Sequence, residues 1–246
     1  MVDRHEIVST SPCTVVDLDG TYIEGNTLKI YLQCGISHLL KKAKLTSLFK
    51  LVSTVLLRRL HLISHLRMKQ TIIDTLYSYP QIAVSSSLNA KQIVNQKVKA
   101  LINRNKNNGH KIIIATAAPD FYVRQIVGEY EFVASEYIPG KRLTECRGEE
   151  KLRRVENWMK ENNCRVDTVV TDHHDDAPLI TANPDGTNIL VYPSKSTLRF
   201  FRKFQPTHFL LIEEIDDLGI SRLLFSHICY RLTAVKQSVK LSLFCV

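Results

Sequence analysis

The sequence predicts an α/β protein, a parallel-sheet core whose first strand is followed by an inserted helical subdomain. Three observations carry this. Four short, β-branched-rich apolar runs, at residues 13–18, 111–116, 166–171 and 188–192, are bounded by polar or turn residues, as buried parallel strands are. Helical patterns at 119–129 and 149–162 separate the later runs, which is the alternation of βαβ units. The stretch between the first and second runs is far too long for a loop in a compact domain, and it carries apolar residues at i, i+3 and i+4.

Taken in order, the first strand is "CTVVDL" and stops on "DLDGT". Residues 28–105 form the inserted helical subdomain, with no proline before Pro80. The polar "NRNKNNGHK" turn then returns the chain to "KIIIAT". "EFVASEY" (131–137) is a weaker strand candidate. In "EEKLRRVENWMKEN", Leu152, Val155, Trp158 and Met159 make a core-facing helical stripe. "VDTVVT" and "NILVY" complete the sheet, and beyond residue 205 the α/β pattern fades. The expected division is a core of residues 1–27 and 106–205, a helical insertion 28–105, and an extension 206–246 whose role the sequence does not fix.

Composition narrows the class. Of 246 residues, 44% are hydrophobic and 23% charged, which is globular and not disordered. The cysteines are scattered with no C-x-x-C pair, which argues for reduced thiols in a cytoplasmic protein and against a zinc site. "MVDRHEIVSTSPCTVV" mixes charges and has no long apolar core, so no signal peptide is expected. No run is long enough for a transmembrane span. The net charge of +9 is uneven: Lys29, Lys41, Lys42, Lys44, Lys50, Arg58, Arg59, Arg67 and Lys69 fall between Leu28 and Gln70, where there is no Asp or Glu. Such a stretch attracts a phosphorylated ligand, a nucleic acid or an acidic membrane, or is simply a solvated face. Aromatics are sparse in it, with Tyr31 and Phe49 alone before Tyr77, so nucleic acid is not expected.

The chemistry lies at the strand ends. Side chains two apart on a strand share a side, so Asp17 and Asp19 point together and repel unless a cation, proton or substrate needs both. In open α/β sheets ligands bind beyond the carboxyl ends of the strands. There the sequence places Asp17 and Asp19, Thr116 before "AAPD", and Asp172 in "TDHHDDAPL", with Lys151 near the start of the preceding helix. This set suits phosphoryl transfer, which is mostly positioning and charge neutralisation. Mg²⁺ takes carboxylate oxygens such as those of Asp17 and Asp172. One carboxylate can attack phosphorus while its neighbour protonates the leaving oxygen. Thr116 and Lys151 would meet the phosphoryl charge.

"DLDGT" (17–21), "IIIAT" (112–116), "GEEK" (148–151) and "TDHHDDAPLI" (171–180), in that order, resemble the four motifs of the haloacid dehalogenase (HAD) superfamily phosphatases. The helical insertion resembles a C1-type cap, and "ATAAPDFY" with "ANP" (182–184) resembles the phosphoserine-phosphatase-like subgroup, family IB. The resemblance covers residues 13–200 and implies a Rossmann-like core. It implies Asp17 as nucleophile, Asp19 as general acid/base, and a phosphate site of Gly20, Thr21, Thr116, Ala117 and Lys151. It further implies Mg²⁺ held by Asp17, the Asp19 carbonyl and Asp172, with Asp176 and Asp175 in support, and a small phosphorylated substrate.

Two departures stand out. His173 and His174 follow Asp172; they read as supporting or surface residues, since Mg²⁺ prefers oxygen, and as ligands they would suit Mn²⁺ or Zn²⁺. Asn26 stands where phosphoserine phosphatases carry a glutamate for substrate recognition, which argues against phosphoserine itself. "TDHH" also resembles the DHH phosphoesterases, but the upstream "DLDGT" lacks their histidine. A different class is a weakly active or inactive scaffold that binds an anionic membrane or partner through the basic insertion. For "SLFKLVSTVLLRRLHLISHL" the position inside the insertion favours a helix packed on its neighbours. The insertion and the tail are where a homo-oligomer contact would form.

Overall fold

The computed structural model describes residues 10–204 and 210–212. Its sheet has six strands in the order β3-β2-β1-β4-β5-β6: β1 (Ser11–Val16), β2 (Lys111–Pro119), β3 (Glu131–Ser135), β4 (Cys164–Thr171), β5 (Thr187–Val191) and β6 (Leu210–Ile212). Every pairing is parallel. Five helices stand between β1 and β2: α1 (Thr27–Lys41), α2 (Leu45–Arg59), α3 (His65–Leu76), α4 (Pro80–Lys91) and α5 (Gln96–Asn107). The later connections are α6 (Asp120–Val127), α7 (Glu149–Glu161), a 3₁₀ turn (His174–Asp176) running into α8 (Ala177–Thr181), and α9 (Lys195–Phe204).

The local signals are those helices need. Asn26 caps α1 by accepting from Lys29 N at 2.9 Å, Ser64 caps α3 through Arg67 N, and Asn95 caps α5 through Lys97 N and Val98 N. Pro80 sits in the first turn of α4, where its missing N–H has no intrahelical partner to lose. On β1, Val15 and Val16 point to opposite faces and enter different cores. Val16, Ile114 and Val170 pack with α6 and the inserted helices. Val15, Ile113, Val169 and Leu190 pack with Val155 and Trp158 of α7, Leu179 of α8 and Phe201 of α9. Both faces are therefore covered, as a parallel sheet requires.

Three expectations change. β2 does not end at Thr116 but continues to Pro119, with its register against β3 shifting between Ala115 and Pro119. Thr116, Ala117 and Ala118 fall within that irregularity. The sheet also does not fade at 205, because β6 pairs with β5 through Leu210–Ile212; three residues are too short to give a period. The remaining tail, 213–246, lies outside the described residues. Finally, β1 does not run to Leu18 but ends at Val16, so Asp17 and Asp19 stand in the turn beyond it. α2 packs on α1 and α3 as expected, through the side that buries Leu51 and Thr54. No helix among the described residues is long and apolar enough to cross a membrane.

Candidate active site

The strand order reverses direction of growth between β1 and β4, and this is the point where an open α/β sheet leaves a crevice. Asp17 and Asp172 are the first residues past those two strands. A cleft of about 460 Å³ opens there. Its floor is Asp17, Asp19, Thr116, Lys151, Asp172 and Asp176, and its walls include Arg58, His65 and Lys69 from the inserted helices.

The two carboxylates of "DLDGT" have different partners. Asp17 continues the ladder through its N–H to Val170 O at 2.9 Å, and its Oδ1 accepts from Lys151 Nζ at 2.8 Å. Leu18, between them, is fully buried in the core. Asp19 is turned to the first residue of α1, where its Oδ1 accepts from Thr27 N at 2.6 Å. A carboxylate at a helix N-terminus meets unpaired N–H groups and the positive end of the dipole. Gly20 is required at the turn that follows: its φ is +77°, and a Cβ there would sit 2.3 Å from Asp172 Oδ2.

Lys151, in the first turn of α7, is buried and bridges two acids, Asp17 at 2.8 Å and Asp176 at 2.6 Å. Thr171 Oγ1 donates to the other oxygen of Asp176 at 2.7 Å. Burial pushes Asp17 upward; Lys151 opposes this, while Asp176 and Asp172 add repulsion. Burial likewise lifts Asp172 to about 6, against His173 and with Asp176. Burial raises Asp19 too, and its bonds to Thr27 offset part of that. Lys151 is held charged: burial works against it, but Asp17 and Asp176 outweigh burial. One buried ammonium is thus shared among several buried carboxylates, and the donor set at Asp17 and Asp172 is all hard oxygen. That composition fits Mg²⁺.

The remaining positions named from sequence divide. Thr116 Oγ1 accepts from Ala118 N at 3.0 Å and lines the cleft with Ala117. Gly20 and Thr21 do not line it; Thr21 is fully buried and its hydroxyl has no hydrogen-bond partner among the described residues. Asp175 faces the rim, paired with Arg147 Nη2 at 2.6 Å and His173 Nδ1 at 3.0 Å. Burial would raise it, but those two partners hold it well below the usual carboxylate range. His173, His174 and Asp175 offer ligand atoms within 4.8 Å of one another. Arg147 already occupies Asp175, and His174 stacks between His173 and Phe200.

A family model for haloacid dehalogenase-like hydrolases matches residues 14–181, most of the chain. The chain belongs to the haloacid dehalogenase-like hydrolases. Solved structures agree in fold. A protein of unknown function from Bordetella pertussis Tohama I is similar at TM-score 0.64 and 14% identity, over 83% of this chain and 99% of that one. A probable phosphoserine phosphatase from Vibrio cholerae is similar at TM-score 0.58 and 13% identity, over 90% of this chain and 62% of that one. A phosphoserine phosphohydrolase-like protein from Francisella tularensis gives TM-score 0.51 and 18% identity, over 73% and 87%. No curated protein matches the sequence.

The cleft of this hydrolase also holds residues the sequence did not single out as functional. Lys69 of α3 is buried and reaches from the inserted helices to the core, donating to Ala117 O at 2.5 Å and Glu145 Oε1 at 2.7 Å. A signal existed: Lys69 lies on the face of α3 that carries Ile72, Ile73 and Leu76, so a cation sits in an apolar stripe. Arg58 comes from α2, His65 from α3, and Glu145 and Arg147 from the loop before α7, and none lies within the motifs.

Proposed function

We propose that this hydrolase is a Mg²⁺-dependent phosphatase that cleaves small phosphomonoesters through an aspartyl-phosphate on Asp17. The observation that carries the reading is the division of labour between two carboxylates two residues apart: Asp17 sits against the Lys151 ammonium, and Asp19 is held off it by Thr27 N.

In the first step an Asp17 oxygen bonds to phosphorus as the ester P–O bond breaks, and the leaving oxygen takes a proton from Asp19. In the second, Asp19 removes a proton from water, the water oxygen bonds to phosphorus, and the Asp17 carboxylate is released. Lys151 balances charge on Asp17 and the phosphoryl oxygens, with Asp176 and Thr171 fixing its position. Thr116 and the adjoining backbone at Ala117 receive the phosphoryl group at the irregular end of β2. Mg²⁺, held by Asp17, the Asp19 carbonyl and Asp172, would neutralise charge on the transferring group.

We read residues 28–105 as a cap and residues 1–27 with 106–205 as the core. Lys69 joins the two across the cleft, so a cap that opens and closes would make and break this contact. Asn26 lines the cleft with a neutral side chain committed to capping α1, which gives a substrate ammonium no carboxylate there. Cys13 and Cys164 interact across β1 and β4 as free thiols, in keeping with a reducing, cytoplasmic setting.

The test is hydrolysis of an aryl phosphate with Mg²⁺, with EDTA, and by Asp17→Asn. Release that needs metal and falls to background in the variant is expected. Near-normal turnover by Asp17→Asn would show that no aspartyl-phosphate forms on this residue.

A further inference from the structure

We propose that α2 docks the protein on an anionic lipid surface, a role separate from the chemistry of the cleft. The argument begins with which side of α2 faces the protein. Leu51 and Thr54 are buried, and Arg58, on the same side one turn on, lines the cleft. Opposite them, Leu45, Phe49, Val52, Leu56 and Leu60 recur at i, i+4, i+7, i+11 and i+15, one face of a helix. All five are exposed, Phe49 by 75% and Leu45 by 68%, and Leu62 just beyond is 67% exposed. A continuous apolar stripe about 20 Å long is therefore turned to solvent. Isolated exposed leucines need no explanation, but a contiguous rimmed stripe marks an interaction surface.

The rim decides the occupant. Lys41, Lys42 and Lys44 precede the helix, Lys50 and Arg59 lie on it, and all five are exposed. No Asp or Glu occurs from Leu28 to Gln70. A second copy seated by two-fold symmetry would bring this basic rim against itself, since such an interface uses the same patch on both partners. An anionic bilayer matches both parts of the surface, taking leucine and phenylalanine at the acyl boundary and lysine at the headgroups. The helix is too short and too charged to span the bilayer, so it lies in the interface plane. Because Arg58 is on the opposite side, α2 is a wall of the cleft whose outer side is exposed, and docking leaves Asp17 accessible.

The experiment is flotation of the full chain with vesicles of phosphatidylcholine alone and with one-third phosphatidylglycerol, beside a Phe49→Glu/Leu56→Glu variant. Sedimentation and hydrolysis of a soluble aryl phosphate are measured on both proteins. The wild-type chain is expected to bind the anionic vesicles at least about tenfold more tightly, with binding weakened by salt. The variant is expected to lose that binding by at least about tenfold and to keep its activity on the soluble ester. Absence of wild-type binding to anionic vesicles would overturn the proposal. So would unchanged binding by the variant, or a wild-type dimer that the variant dissociates without any lipid binding. Activity is read separately, so failure of the docking role and failure of the phosphatase reading are distinct results.

Discussion

The floor of the cleft and the outer side of α2 depart from the usual partition of polar and apolar groups in opposite directions. At the floor, Asp17, Asp19, Asp172, Asp176 and Lys151 are charged groups taken largely out of water. On α2, leucines, two valines and a phenylalanine are left in water. Each arrangement is costly for the chain alone: buried carboxylates lose hydration, and exposed aliphatic side chains keep apolar area that burial would stabilise by about 25 cal/mol per Å². The cleft offsets its cost internally, through Lys151 and Thr27. The helix does not, because its basic neighbours add no cover. A region that compensates itself is preorganised for a small ligand, whereas one left uncompensated is a surface awaiting a large one.

The largest effect should come from removing the internal compensation. Lys151→Met leaves Asp17 and Asp176 without their shared ammonium, and breaking a buried pair in this way costs about 3–5 kcal/mol. Aryl phosphate hydrolysis should also fall by at least about a hundredfold. The stability loss should shrink between pH 8 and pH 5. Without Lys151 the Asp17 carboxyl, already raised by burial, rises further, so the variant's folded state binds more protons than the wild type's and regains stability as pH falls. Urea titrations at the two pH values check this, and a pH-independent or negligible loss would mean that the lysine does not neutralise these acids.

Much of the cleft was legible because its chemistry is written at strand ends. The end of the first apolar run put Asp17 and Asp19 just past β1, where they stand in a turn and meet different partners and do not share a strand face; the alternation of strands and helices placed Thr116, Asp172 and Lys151 at one edge. The 3-2-1-4-5-6 order then brings them into one crevice. What the sequence could not show depends on contacts between elements. Lys69 and Glu145 meet across 76 positions, and no local spacing records such a pair. On α2 the apolar residues occupy more than one side, Leu48 and Leu51 as well as Leu45, Phe49, Val52 and Leu56. Periodicity reveals a stripe without saying whether protein or solvent lies against it; position inside the insertion suggested packing, which holds for the side carrying Leu51 and Thr54 and not for the side carrying Phe49 and Leu56.

A smaller effect isolates how the floor is shaped. Gly20 and Gly140 share the same φ of +77°, but nothing lies within 4 Å of a Cβ at Gly140, while at Gly20 it would meet Asp172 Oδ2 at 2.3 Å. Alanine should cost both sites about 1–2 kcal/mol of left-handed strain. Only Gly20→Ala must also displace Asp172, so only that variant should need more Mg²⁺ for half-maximal hydrolysis. Equal Mg²⁺ requirements in the two variants would remove Asp172 from the ligand set proposed for the metal.

The smallest expected effect is the most telling for α2. Leu56→Ala should change stability by no more than about 0.5 kcal/mol, the range of surface substitutions away from special features. The same truncation at Leu51, fully buried on the opposite side, sets the scale at about 2–5 kcal/mol. The two leucines lie on one helix and share its propensity, so the difference between them measures burial alone. A loss at Leu56 approaching that at Leu51 would mean that something in the free protein already covers the stripe, and the contrast between a self-compensated cleft and an uncompensated helix would fail. A near-zero loss, with lipid binding removed by charge on the same face, leaves the stripe no role in holding the fold and assigns it to an external surface.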